Sequence, residues 1–187
     1  KLAEGITWAA DNGAQVINLS MGGNTASKVV RDAVEYAIHK GVVVVAATGN
    51  NGYDGKISYP AAYDGVIAVG AHDALYHETA YSNASRLVDI LAPGGDTNMD
   101  VNGDGQPDGI LQETVVGDRF GYAMMEGTSM AAPHVSAAAA LLLSRGVKSE
   151  DVLTVLVETA RPVQGKPYGA LDILSALSDS PVAGRGP

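Results

Sequence analysis

One serine is placed where chemistry is possible. It lies in MEGTSMAAPHVSAAAALLLS, residues 125–144. Thr128 and Ser129 are residue types that cap helix starts, and Pro133 is tolerated only near a start. From Val135 to Leu143 the segment has no polar face beyond Ser136, so the spacing predicts a helix that is apolar nearly all round and therefore buried. Ser129 is then a hydroxyl at the N-terminal tip of a central helix. Free N–H groups and a positive partial charge at that end suit a developing anion. Two readings stand side by side on these grounds alone: a plain helix cap, and a nucleophile set beside a ready-made anion site.

The elements that must hold this serine read as alternating strands and helices. VINLSM (16–21) is a short strand entering Gly22-Gly23, and TASKVVRDAVEYAIHKG (25–41) is a helix that Thr25 can cap and Gly41 stops. VVVVAA (42–47) has no polar alternation, which predicts a strand buried on both faces of a parallel sheet. Strand, helix, strand makes one right-handed crossover. VIAVGA (66–71) and VDILA (88–92) read as further strands, 94–109 as a loop, and 110–116 with 120–125 as a hairpin around Gly117-Asp118. SEDVLTVLVETA (149–160) reads as a capped amphipathic helix and LDILSAL (171–177) as a short one. The expected class is α/β, three layers about a mostly parallel sheet. One domain over 1–177 and a frayed tail over 178–187 are expected. The opening KLAEGITWAADNG reads as a helix already under way, with no cap and no initiator Met, so an N-terminal part is inferred to be missing.

Composition narrows the function classes. The 187 residues carry a formal charge of −9, which disfavours non-specific binding to nucleic acid or anionic membranes. No apolar run has the length of a membrane span. Cysteine is absent, so disulfides and thiol catalysis are excluded.

Several blocks then coincide. GTSMAAPHV (127–135) resembles the nucleophile motif of the subtilisin-like serine proteases, the subtilases. VINLSMGG (16–23) is similar to their substrate-binding strand, and VVVVAATGNNG (42–52) to the strand and turn carrying their oxyanion asparagine. YPAAYDGVIAVGA (59–71) and ILAPGG (90–95) match in the same order. The resemblance implies that Ser129 attacks a scissile carbonyl. It implies two oxyanion donors, the backbone N–H of Ser129 and the side-chain amide of Asn50. Ser20, Met21 and Gly22 would pair with an extended peptide as an added strand, and Ala47, Thr48 and Gly49 would line the primary specificity pocket. It also implies a cis bond at Tyr59–Pro60 and an extracellular location. The substrate would be extended peptide or unfolded protein.

The family's aspartate and histidine motifs, Asp-Ser/Thr-Gly and His-Gly-Thr, do not occur here. Family order puts both upstream of Lys1, so the upstream part of the same catalytic domain is an expected partner. His134 follows Ser129 by five residues, about 140° around a helix and about 7.5 Å along it, and cannot serve as its base. It is expected to be a packed, hydrogen-bonded core histidine. His39 sits in a last helical turn, His72 and His77 in an expected loop, and Asp11 at a solvated helix end.

The loop DTNMDVNGDGQPDG (96–109) carries a second signal. Asp100, Asn102, Asp104, Gly105 and Asp108 fall on positions 1, 3, 5, 6 and 9 of an EF-hand-like calcium loop, with the carbonyl of Gln106 at position 7. Position 12 is Leu111 rather than Glu, Glu113 comes two residues late, and Asp96 is the candidate for the missing carboxylate. Structural calcium and a solvated Asp/Asn/Gly loop are the two readings. For the whole chain, a serine endopeptidase leads. An inactive peptide-binding relative and a calcium-dependent structural module are the alternatives.

Overall fold

The computed structural model describes residues 1–179. The expected tail falls on residues outside that range, apart from Ser178 and Asp179, which continue the last helix. In chain order the elements are α1 (Leu2–Asp11), β1 (Val16–Leu19), α2 (Lys28–His39), β2 (Val43–Ala47), β3 (Ile67–His72) and β4 (Ile90–Pro93). Then come β5 (Ile110–Val116), β6 (Arg119–Met125), α3 (Thr128–Ser144), a 3-10 turn (Ser149–Asp151), α4 (Val152–Glu158), β7 (Gly169–Ala170) and α5 (Ile173–Asp179).

Five strands form one parallel sheet in the order β1-β2-β3-β4-β7, and β5 and β6 pair antiparallel as a separate ribbon. The valine run now has its reason. Val42, Val44 and Ala46 face α1 and α2 with Ile6, Val34 and Ala37, whereas Val43, Val45 and Ala47 face α3, α4 and α5 with Val135, Leu142 and Leu156. Apolar side chains are required at every position because both faces are covered. The three-layer α/β/α architecture is thus the expected one.

Boundaries differ where local hydrogen bonding decides them. Helix α2 starts at Lys28, not Thr25; Ser27 is extended (φ −121°) and its Oγ accepts from the Val30 N–H at 3.5 Å. Tyr63 fixes that start, its hydroxyl accepting from Ser27 N at 2.7 Å and donating to Ser27 O at 2.9 Å. The segment 149–160 splits into a 3-10 turn and α4, and no side chain caps either. His72 ends β3 instead of lying in a loop. The Tyr59–Pro60 peptide bond is cis.

The packing of α3 against the sheet generates a stability prediction. Leu142 is fully buried on α3. Leu142→Ala should lower unfolding free energy by about 2–5 kcal/mol through lost burial and a residual cavity. Denaturant titration of the two proteins checks it, and a loss under about 1 kcal/mol would mean that the layer repacks around the gap.

Candidate active site

Helix α3 begins at Thr128, with Gly127 as its cap residue at φ 145°. Neither Thr128 nor Ser129 is therefore the cap; Ser129 is the second helical residue, half-buried. Pro133 lies four residues further along and has no N–H to give to the Ser129 carbonyl. That carbonyl is satisfied from outside the helix, by the Ser20 hydroxyl at 2.8 Å. The Ser129 hydroxyl donates in turn to the Ser20 carbonyl at 3.1 Å. A reciprocal pair across 109 residues joins the end of β1 to the helix tip. Asn18 supports it, its Nδ2 donating to Ser20 Oγ at 2.9 Å.

Asn50 stands on the turn after β2. Its Oδ1 accepts from the Thr128 N–H at 2.9 Å and from Thr128 Oγ1 at 2.7 Å. Because a backbone N–H can only donate, this contact fixes which end of the amide is oxygen. Nδ2 consequently faces away, beside Gly127, where a side chain would begin 3.0 Å from it. Among the described residues neither Asn50 Nδ2 nor the Ser129 N–H has a partner. Two donors are left unspent beside one hydroxyl.

The turn that carries Asn50 is held by side chains that sequence reading passed over. Gly49 sits at φ 104°, and a Cβ there would lie 2.4 Å from Asn83 Nδ2 and 2.5 Å from Ser58 Oγ. Asn83, wholly buried, accepts from Asn51 N (2.9 Å) and Tyr53 N (3.1 Å) and donates to Thr48 O (3.0 Å). Thr128, taken above as a cap type, instead bridges Asn50 Oδ1 and the Gly49 N–H, the latter at 3.2 Å. Tyr81 accepts from Gly127 N at 3.1 Å and donates to Gly95 O at 2.7 Å. Asn83 follows Ser82 in an unremarkable polar stretch, so no sequence pattern marks it.

Ala47 and Thr48 are buried, Ala47 within the layer under α3, and Thr48 Oγ1 lacks a partner among the described residues. Met21 and Gly22 lie exposed past the end of β1, their backbone groups unpaired among the described residues, before Gly23 joins Tyr59 through bonds of 2.9 and 2.8 Å. A Cβ on Gly22 would meet Ser58 Cβ at 2.8 Å. Beside this strip opens an apolar cavity of about 250 Å³, lined by Leu2, Met21, Val30, Tyr59 and Tyr63 among others.

No histidine of the described residues bonds to Ser129. His134 is half-buried rather than core, and its Nδ1 donates to Met130 O at 2.8 Å. His72 is buried, its Nδ1 donating to Asp73 O at 2.7 Å, and burial pushes its imidazole below the ordinary value. His77 pairs with Asp73 at 3.4 Å. Asp11 is exposed but engaged, taking hydrogen bonds from Tyr36 and Lys40, chiefly the latter holding its carboxyl below the usual range.

In the acidic loop the backbone winds about Asp100, whose carboxylate accepts from Asp104 N (3.1 Å) and Gly105 N (2.9 Å). Asn102 Oδ1 accepts from Asp104 N, Asp104 Oδ1 from Gln106 N, and Asp108 Oδ2 from Val101 N. Among the described residues no three histidine, aspartate or glutamate side chains gather in a metal-binding group. The turn shape fits an oxygen cage, and the carboxylates as placed serve the backbone. Leu111 and Glu113 both belong to β5.

Comparison with known proteins gives a match to the model of the subtilase family over residues 1–175. A thermophilic serine proteinase of Bacillus sp. (strain AK1) is 39% identical over 181 residues, 95% of this chain and 41% of that protein. Thermitase of Thermoactinomyces vulgaris is 38% identical over 164 residues, 88% of this chain and 53% of its own length. A protease structure from Pseudoalteromonas arctica superposes with a TM-score of 0.85 at 29% identity, covering 96% of this chain and 58% of that one. The chain spans about half the length of the relatives it matches. A family match over nearly all the described residues, joined to a parallel-sheet fold that superposes on solved proteases, means that this chain belongs to the subtilase family.

Proposed function

We propose that the chain carries the nucleophile side of a serine endopeptidase. The observation that bears the reading is the tip of α3: the Ser129 hydroxyl beside two unspent donors, its own N–H and Asn50 Nδ2. In this reading Ser129 Oγ attacks the peptide carbonyl and its proton passes to a histidine that the upstream part of the same catalytic domain supplies, with the aspartate that orients it. The carbonyl oxygen, becoming an anion, is received by the two donors without any reorganisation, which is where such sites gain most of their rate. Met21 and Gly22 offer unpaired backbone, and Ser20 the carbonyl now held by the Ser129 hydroxyl, to an extended peptide or unfolded protein as an added strand. The cavity beside Met21 takes one apolar side chain of that peptide, and Ala47, Thr48 and Gly49 line the pocket for the residue at the cleaved bond. An extracellular location belongs to the same proposal, on the strength of family membership. No described helix is long and apolar enough to cross a membrane.

Calcium at the 96–109 loop is proposed with it. Asp100, Asn102, Asp104, Asp108 and the Gln106 carbonyl would hold the ion, on the evidence of their alternating spacing and the backbone wound about Asp100. The ion would brace the root of the β5–β6 ribbon.

Four outcomes test these readings. A protein extended upstream through the Asp and His motifs should hydrolyse a chromogenic peptide and be labelled at Ser129 by a fluorophosphonate; Ser129→Ala should do neither. The 187-residue chain alone should be slower by at least about a thousandfold, the scale on which a serine hydroxyl depends on its base. Equal turnover by the two would sink the division of the triad. In the extended protein, Asn50→Ala should lower kcat by about 10²–10³-fold with KM little changed, a magnitude taken from a subtilisin relative. A change confined to KM would make Asn50 a ground-state contact. Finally, calcium should raise the melting temperature over a chelator control, and Asp104→Ala should abolish the shift; equal shifts in both proteins would remove the loop as a site.

A further inference from the structure

Asn50 has to hold its amide still, yet it lies in neither a strand nor a helix. Among the described residues its own backbone N–H and carbonyl bond to nothing. The residues on both sides of it are tied instead to one distant segment, Tyr81–Ala84, from the loop between β3 and β4. Gly52 N–H donates to the Tyr81 carbonyl at 2.8 Å, Ala84 N–H to the Tyr53 carbonyl at 2.8 Å, and Asn83 N–H to the Gly49 carbonyl at 2.9 Å. The Asn83 side chain closes the set. Its Oδ1 takes the N–H groups of Asn51 and Tyr53, which follow Asn50, and its Nδ2 gives to the carbonyl of Thr48, which precedes it.

This hold is stiff for two reasons. Asn83 is wholly buried, so water cannot replace a lost partner. Its segment is also anchored to the sheet, since Ser82 Oγ accepts from the Ala71 N–H of β3 at 3.1 Å. Gly49 comes so close that a Cβ there would stand 2.4 Å from Asn83 Nδ2. The amide of Asn50 is thereby fixed at two ends: its backbone is suspended from Asn83, and its Oδ1 is held by Thr128, the residue before Ser129. A shift at the first end swings Nδ2 about the second. An anion donor works only within about 2.7–3.1 Å of the developing charge, so a small swing costs rate.

From this geometry we infer that Asn83 is a positioning residue for the anion site. It has no bond to Ser129 among the described residues, and acts through the turn 48–53 by setting the point from which Asn50 Nδ2 donates. The inference rests on the endopeptidase reading and adds to it a residue that works only through Asn50.

The test uses the protein extended upstream through the Asp and His motifs, with turnover referred to the fraction that a fluorophosphonate labels at completion. Asn83→Ala should lower kcat about tenfold with KM within about twofold, a part of what loss of Asn50 itself costs. In an Asn50→Ala background the same change should alter kcat by less than about twofold, because the group it positions is gone. Asn83→Ser keeps one acceptor and should show the same pattern at about threefold, which serves where Asn83→Ala does not fold. Equal losses in the two backgrounds, or a loss confined to KM, would overturn the role. Hydrogen exchange gives a readout apart from turnover. The Thr128 N–H, held by Asn50 Oδ1, should exchange about tenfold faster in either Asn83 variant, while the amides of α3 beyond Pro133 keep their rates. Unchanged exchange at Thr128 would overturn the role as well. Faster exchange there in a protein whose parent neither cleaves nor labels would overturn the endopeptidase reading and leave the hold of Asn83 on Asn50 standing.

Discussion

A helix cannot satisfy its own first N–H groups, and a proline in its second turn frees a carbonyl as well. Both deficits fall on Thr128 and Ser129, and the loops after β1 and β2 supply the missing partners. Thr128 N–H goes to Asn50 Oδ1, and the Ser129 carbonyl takes the Ser20 hydroxyl. These bonds fasten the tip of α3 to two neighbouring strands, so the position of one hydroxyl is set by the whole sheet. They also orient the amide. Since Asn50 Oδ1 is consumed by Thr128, Nδ2 is left to point outward, and a donor pair results from the helix's own shortage. Burial of Thr128 and Asn83 strengthens the arrangement, because a partner lost in a low-dielectric site cannot be replaced by water.

What the sequence revealed follows from how local each determinant is. Val42–Val45 declared a doubly covered strand because periodicity is a nearest-neighbour property, and the paired cores bear that reading out. The place of Ser129 at the tip of a buried helix was legible because Gly127, Thr128, Ser129 and Pro133 lie within one turn or two of each other. The cap of α2 was misplaced by two residues since Thr25 and Ser27 are equally good caps in isolation; Tyr63, distant in sequence, selects Ser27. Asn83 was invisible for the same reason. Its three bonds reach back 30 to 35 residues to the turn at 48–53, and nothing near it in the chain records that duty. His134 was excluded as a base by helix geometry alone, and its bond to Met130 agrees, although its burial was overstated.

Close packing at two glycines decides how near a peptide backbone can come. Gly22 and Gly49 approach the same side chain, Ser58, from two different loops. At Gly49 the backbone conformation, φ 104°, excludes other residues as well. The contact brings the end of β1 within reach of the turn after β2, leaving Met21 and Gly22 with unpaired backbone beside the helix tip. Under the proposed function, a substrate strand laid there would bring its carbonyl to Ser129, which is the entropic part of such catalysis.

The hydroxyl of Ser129 is well placed but wrongly directed. It has one proton, and in this structure that proton is given to the Ser20 carbonyl. For attack on a carbonyl carbon, the proton must turn instead toward a base. A half-buried hydroxyl-to-carbonyl bond is worth about 1 kcal/mol net, so a neutral imidazole at hydrogen-bonding distance can compete with it readily. Rotation about the Cβ–Oγ bond moves the proton alone. The oxygen stays where the helix tip and the Ser20 contact hold it. In the proposed reaction this chain would fix the oxygen and the anion donors, and a base from elsewhere in the catalytic domain would change only the direction of one hydrogen.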